Sequence, residues 1–136
     1  MDRLTKEQRH KNMQAIKASG SKIEIRLQKA LWAKGHRYRK NYKTITGKPD
    51  IVFRKYKLAI FCDSEFWHGK DWEKQKKTIH SNKTFWIQKI EKNIRRDQEV
   101  NQKLREEGWT VLRFWGDDIQ KKLEWCIEEI EKNMIL

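Results

Sequence analysis

The sequence predicts an α/β fold: a small mixed central sheet flanked by helices, in a single domain. Three observations predict it. The 136 residues suit one domain with one real core. The hydrophobic period switches between helical and alternating, giving the order helix, helix, strands, helix, strand, helix. Finally, 7 Trp, 5 Phe and 3 Tyr supply core volume to a chain that is 38% charged, which excludes a disordered polyelectrolyte.

Taken in order, Thr5-x-x-Gln8 reads as a capping box opening a helix to about Lys17, with Gly20 beyond it. Ser21-x-x-Glu24 is a second such box. The helix after it runs to about Lys34, carries Ile23, Leu27, Ala30 and Leu31 on one stripe, and stops at Gly35. Residues 37–43 read as a strand or an extended arm, and Thr46-Gly47-Lys48-Pro49 as a turn. Asp50–Phe53 and Leu58–Cys62 are two buried strands, made antiparallel by the tight polar turn Arg54–Lys57. Residues 63–83 read as an irregular polar loop suited to function. A long helix covers Thr84 to Glu107 and ends at Gly108. Thr110–Trp115 is a strand, and Asp117-x-x-Gln120 caps one last helix carrying Ile119, Leu123, Cys126, Ile127 and Ile130. Trp109, Trp115 and Trp125 are expected in the core. No repeat or Pro/Gly linker divides the chain.

Charge narrows the partner. Lys and Arg number 32 against 19 Asp and Glu, net +13, and the excess is concentrated at one end. Residues 1–48 hold 14 basic and 3 acidic side chains; the remainder holds 18 and 16. Such a footprint fits a polyanion, nucleic acid foremost. An anionic membrane fits less well, because no stretch is a strongly apolar helix with a basic face. No signal peptide or transmembrane run is legible, so a cytoplasmic location is expected. Cys62 and Cys126 make neither a disulfide framework nor an all-cysteine zinc site.

Against that basic background stands an acidic knot: Pro49-Asp50, twelve residues, then Asp63-Ser64-Glu65. Antiparallel pairing brings Asp50 and Asp63 to one end, and strand alternation puts Glu65 on the face of Asp63. Three converging carboxylates repel unless a cation joins them, and Mg²⁺ is the hard, oxygen-seeking choice. The pattern resembles the PD-(D/E)xK nucleases, with Glu65 where Lys is commonest. Alternatively, Asp50 ends a turn and the other two are solvated loop acids.

A closer resemblance rests on several segments in register: Lys11-Asn12-Met13-x-Ala15-Ile16, Ile23-Glu24-x-Arg26-Leu27, Gly47-x-Pro49-Asp50, Phe66-Trp67-His68, Phe85-Trp86-x-x-Lys89-Ile90-x-x-Asn93, Arg96-Asp97 and Gly108-Trp109-x-Val111-Leu112. Over roughly residues 8–118 the chain resembles the very-short-patch-repair (Vsr) endonucleases and their homing relatives. The resemblance implies a restriction-endonuclease-like core over residues 21–136, preceded by a basic DNA-contacting helix over 1–20. It implies a Mg²⁺-dependent endonuclease for double-stranded DNA, for which Mn²⁺ substitutes, leaving a 5′-phosphate and a 3′-hydroxyl. Asp50 would hold the metal with the backbone carbonyl of Cys62, and His68, with Asp97, would serve the attacking water. Glu24 would be an accessory acid. Met13, Phe66, Trp67 and Trp86 would wedge beside a T·G mismatch, where stacking is already weak. Lys89 and Asn93, one helical turn apart, match base-contacting positions.

The residues themselves keep alternatives open. Asp97 falls on the apolar face of the long helix and needs a partner, an imidazolium or a neighbouring Arg96 or Lys. Glu24 is also the N3 acid of a capping box. Trp67 and Trp86 are wedges or core. Lys11, Lys17, Arg26 and Lys29 are expected to grip phosphates without reading sequence.

Two departures from the family matter. Glu65 and Asp117 stand where Vsr enzymes have cysteine zinc ligands, so no structural zinc is expected and the loop over 69–83 must be held otherwise, by Trp72 for instance. Asp63 stands where mismatch enzymes commonly have histidine, which makes it a candidate second metal ligand beside Asp50. The rivals to mismatch nicking are a homing or restriction enzyme cutting paired DNA in both strands, and a basic binding module without catalysis. A nickase is expected to act as a monomer and a double-strand cutter as a dimer.

Overall fold

The computed structural model describes residues 22–40 and 44–134. The expected first helix, with Lys11, Met13 and Lys17, and the Ser21 cap lie outside them.

Helix α1 (Lys22–Ala33) turns Leu27 and Leu31 fully inward and ends ahead of Gly35, whose φ of 90° lets the chain reverse. Strand β1 (Arg39–Lys40) is a short exposed edge. Strand β2 (Ile51–Phe53) is buried throughout and pairs antiparallel with β3 (Leu58–Asp63), Ile51 opposite Ile60. A 3₁₀ turn over Arg54–Tyr56 joins them, closed by Lys57 in the left-handed region. Strand β4 (Thr110–Trp115) runs parallel to β3, giving a four-stranded mixed sheet of order β1-β2-β3-β4. The sheet is covered on both faces, which is why β2 and β3 read as unbroken apolar runs.

Alternation along β3 sorts its side chains. Leu58 and Ile60 join Leu27, Leu31, Ile119 and Ile127 in the larger core, on the α1 side. Ala59 and Phe61 turn the other way and pack with Leu104 and Val100 of α4 (Lys83–Glu106). Burying each of the larger aliphatic side chains contributes about 1.5–3 kcal/mol. The next inward step on the α4 side after Phe61 is Asp63, which the fold thus delivers beneath the long helix.

The structure corrects three expectations. Residues 63–83 are not irregular: they hold two one-turn helices, α2 (Glu65–His68) and α3 (Trp72–Gln75), and a 3₁₀ turn over Lys76–Thr78. A single turn is too short to show periodicity. What makes α2 is local: the Ser64 hydroxyl accepts the Trp67 N–H at 3.4 Å, and Gly69 closes it with φ 67°. The last helix is two, α5 (Gly116–Lys121) and α6 (Leu123–Lys132), broken at Lys122, where no Gly or Pro marks the sequence. Asp117 lies inside α5, and Trp115 is the N-cap. Trp125, expected in the core, is 46% exposed and only edges Phe114, because it projects from the outer side of the stripe formed by Cys126, Ile127 and Ile130.

Candidate active site

The carboxyl ends of the parallel strands β3 and β4 meet the start of β2. In open sheets that edge is where ligands bind, because no strand continues across it. The candidate side chains gather there from α1, the start of β2, β3, α2, α4 and β4.

Asp50 precedes β2 and is half-buried. Its Oδ2 accepts the Cys62 N–H at 2.7 Å, and the N–H and C=O of one strand residue point to the same edge, so the Cys62 carbonyl faces Asp50 too. Burial pushes the Asp50 carboxyl up to about 7; the Cys62 N–H works against this, and the charges of Glu24 and Asp63 add to it. Glu24, 4% exposed on α1, accepts from Gln28 Nε2 at 3.3 Å. Glu24 and Asp63 approach Asp50 from opposite faces of the sheet.

Asp63, also 4% exposed, receives Arg113 Nη1 on both carboxylate oxygens at 3.2 Å each. Burial raises its pKa, and His68 and Arg113 oppose that rise. His68 closes α2, and its Nδ1–H donates to Asp97 Oδ2 at 2.5 Å. That leaves Nε2 facing Asp63 Oδ1 at 3.7 Å. Burial disfavours the imidazolium, but the Asp97 hydrogen bond and the charges of Asp63 and Asp97 outweigh it, and the His68 pKa is raised. Asp97 thus takes the imidazole, while Arg96 turns to Asn93 at 3.3 Å. Asp63, His68 and Asp97 offer ligand atoms within 4.8 Å of one another. With Ile94, Gln98, Arg113 and Trp115 they line an open cavity of about 190 Å³.

Glu65 does not join this cluster. It begins a helix instead of extending the strand, and its Oε1 accepts the Asp117 N–H at 2.6 Å, tying the start of α2 to that of α5. The two positions at which the family has cysteine ligands are therefore linked by a hydrogen bond, and a lone carboxylate with a backbone N–H is not a zinc donor set. The following segment is held by Trp72, whose indole N–H donates to Glu91 at 3.0 Å, and by Gln75, which donates to the Phe66 carbonyl at 3.1 Å.

Beside the cavity lies an aromatic ledge. Phe66, Trp67 and Trp86 form a triangle of edge-to-face contacts with centroids 5.4–5.9 Å apart. Trp67 is its buried corner and Phe85 lies outside it, 56% exposed. Lys89 reaches over Trp67 and Phe85. Asn93 donates to the Trp67 carbonyl at 3.1 Å, so its amide is engaged within the protein. Arg26 likewise reaches the Ile119 and Gln120 carbonyls, at 3.4 and 3.5 Å, whereas Lys29 is exposed.

Sequence reasoning missed Arg113. The signal was there: it is the one charged residue in the strand Thr110–Trp115, at a position that alternation turns inward with Val111.

Carboxylates around an acid-paired imidazole, at the open end of a mixed sheet, suit proton transfer and the holding of a hard cation, and comparison with known proteins names the class. The family described as DNA mismatch endonuclease Vsr matches residues 1–74. The chain is 58% identical over 132 residues to the type II nicking enzyme V.NmeDIP of Neisseria meningitidis serogroup C, covering 97% of this chain and 89% of the relative. It is 55% identical to the type II nicking enzyme V.HpaIIP of Haemophilus parainfluenzae, over 97% and 94%. It is 37% identical to the DNA mismatch endonuclease Vsr of Escherichia coli K12, over 79% and 68%. The protein is a DNA endonuclease, a hydrolase acting on phosphodiesters. It belongs to the Vsr family.

Proposed function

We propose that this endonuclease nicks one strand of duplex DNA at or beside a T·G mismatch, using one class of divalent cation, Mg²⁺, held by Asp50 and the Cys62 carbonyl. The observation that carries the reading is the His68–Asp97 hydrogen bond set at the same sheet edge as Asp50. Two of the three relatives named above are described as nicking enzymes, which favours single-strand cutting by a monomer over a double-strand cutter.

The donor set suits the cation. Asp50 uses one oxygen for the Cys62 N–H, and its carboxyl is held near neutrality by burial and by neighbouring acids. A hard dication would relieve that repulsion through oxygen ligands. When bound, it supplies charge stabilisation to the phosphoryl oxygens and the departing 3′-oxygen. The chain does the rest. Asp97 fixes the tautomer with the proton on Nδ1 of His68, so Nε2 is free to take a proton from water. Glu24 stands behind Asp50. Products are a 5′-phosphate and a 3′-hydroxyl.

The aromatic ledge is the wedge in this reading. Phe66 and Trp86 meet the destabilised base step, and the buried Trp67 backs them. Lys89 and Lys29 contribute positive charge toward the DNA, as do Lys11 and Lys17 from the basic N-terminal segment, and Met13 joins the apolar wedge. Asn93 would have to leave the Trp67 carbonyl to reach a base. Among the described residues no helix is long and apolar enough to cross a membrane, and the nucleoid in the cytoplasm is the proposed location.

The test uses the purified protein, Mg²⁺ and two labelled duplexes, one carrying a central T·G mismatch and one fully paired, with Asp50→Ala alongside. Nicking of one strand of the mismatched duplex alone, abolished in the variant, is expected. Cutting of both strands in paired DNA moves the reading to a restriction or homing enzyme. Binding without cutting under all conditions defeats the catalytic assignment.

A further inference from the structure

Arg113 stands on β4 opposite Phe61, and Leu112 and Phe114 on either side of it face the α1-side core. It is held from four directions. Nη1 is shared between the two oxygens of Asp63, the same nitrogen is 3.6 Å from Asp97 Oδ1, Nε donates to Asn101 Oδ1 at 2.7 Å, and the guanidinium lies 4.0 Å from the Phe61 ring centroid. A side chain fixed in this way is not a mobile phosphate finger. Its charge is spent on two carboxylates, one of them almost fully buried, and a buried carboxylate needs such a partner.

The same two carboxylates, with His68, make the cluster whose ligand atoms approach within 4.8 Å. That spacing would suit a cation, but a cation is already present. The His68 Nδ1 and Asp97 Oδ2 atoms are also committed to each other. A divalent ion placed there would have to displace a guanidinium locked by Phe61 and Asn101, or endure its repulsion.

We propose that Arg113 is a positioning residue that occupies the place of a divalent ion among Asp63, His68 and Asp97, so that this cluster holds no metal and any catalytic cation sits at the Asp50 end of the edge. Asp63 and Asp97 are thereby reserved for orienting His68. A cation at Asp50 rests on the endonuclease reading; its exclusion from the Asp63 cluster rests on the Arg113 contacts alone. It follows that Asp63 is an outer partner of the site and not a metal ligand.

The experiment counts bound Mn²⁺ by electron paramagnetic resonance on the full-length protein without DNA. The unchanged protein, Arg113→Gln, Arg113→Lys and Asp63→Asn are compared, with circular dichroism confirming that each is folded. The unchanged protein and Asp63→Asn are expected to bind the same number of ions and Arg113→Gln one more, because Asp63 and Asp97 lose their resident charge. Arg113→Lys restores the charge and returns the count to that of the unchanged protein. If Arg113→Gln does not fold, Arg113→Met takes its place with the same expected gain. No gain in a folded Arg113→Gln or Arg113→Met, a gain kept in Arg113→Lys, or loss of an ion in Asp63→Asn overturns the proposal. Ion counting is independent of cutting: a protein that nicks no duplex defeats the functional reading and leaves the count standing.

Discussion

The Nδ1–H of His68 donates to Asp97 Oδ2 at 2.5 Å across 29 positions of sequence, joining a one-turn helix to the middle of the longest one. The bond fixes the ring, selects its tautomer and favours its charged form. Asp97→Asn keeps the shape and removes the charge. The nicking rate of that variant is expected to fall by about 10²–10⁴-fold with DNA affinity nearly unchanged. The rate of the unchanged enzyme rises with pH through the raised pKa of His68 as the base form appears. In Asp97→Asn that rise moves to lower pH. Single-turnover rates across pH check both parts; an unmoved profile would remove His68 from the proton-transfer role.

Asp50 gives a pH dependence of stability with a definite sign. Its carboxyl is raised from 3.8 to about 7 in the metal-free fold, chiefly by burial. A group whose pKa rises on folding contributes stability that is fully present below its unfolded value and is lost as pH rises through the folded one. The metal-free protein is therefore expected to lose on the order of 1–3 kcal/mol from this group between about pH 4 and pH 8. Asp63 and His68, both raised, act in the same direction. Asp50→Asn should melt higher than the unchanged protein at pH 8, with the gap closing near pH 5, and Mg²⁺ should raise the melting temperature of the unchanged protein alone. Melting curves at the two pH values decide it; a destabilised Asp50→Asn at pH 8 would contradict the argument.

The aromatic ledge separates support from contact. Trp67 is the buried corner of the triangle, 6% exposed, so Trp67→Ala is expected to cost about 3–5 kcal/mol in urea unfolding. Phe85 is 56% exposed and touches Trp86 at its edge, with centroids 4.9 Å apart. Phe85→Ala should change stability by less than about 0.5 kcal/mol. Its measurable effect is expected on DNA, as weaker binding to a mismatched duplex. If Phe85→Ala unfolds more easily and binds DNA normally, Phe85 is a packing residue and not part of the contact surface.

Much of this could be read in the chain because the signals were local and repeated. The antiparallel β2–β3 pair followed from two apolar runs and a four-residue turn, and β4 and the long helix followed from period and from Gly108. The His68–Asp97 pairing was foreseeable because a carboxylate on an apolar helical stripe must find a partner. What escaped depended on short or long-range geometry. Glu65 reads as a strand residue because nothing in a four-residue helix announces itself by period, yet the Ser64 cap turns it toward Asp117. Arg113 was passed over because its partners come from β3 and α4, and only the parallel register places it beside Asp63. Residue type alone sends Trp125 to the core, whereas its helix phase points it outward.

Gly69 tests how tightly His68 is tied to the long helix. It follows His68 directly, adopts φ 67°, and packs so closely that an added Cβ would overlap the Ile94 side chain and come within 3.2 Å of Ile90. Ala at this position meets two costs. The left-handed conformation is unfavourable by about 1–2 kcal/mol for a residue with a Cβ. Overpacking against α4 adds about 1–3 kcal/mol. The second cost is relieved only if α2 lifts away from α4, and that movement stretches the His68–Asp97 bond. Gly69→Ala is thus expected to be destabilised and, at a temperature where it remains folded, slower at nicking with unchanged DNA affinity. Ile94→Ala, which makes a cavity by itself, should become less costly in the Gly69→Ala background, because the new methyl fills part of the space. The double-mutant cycle in urea measures that coupling, expected at about 1 kcal/mol or more. Additive effects, or a Gly69→Ala enzyme of unchanged rate, would mean that the chain after His68 does not press on Ile94 in solution.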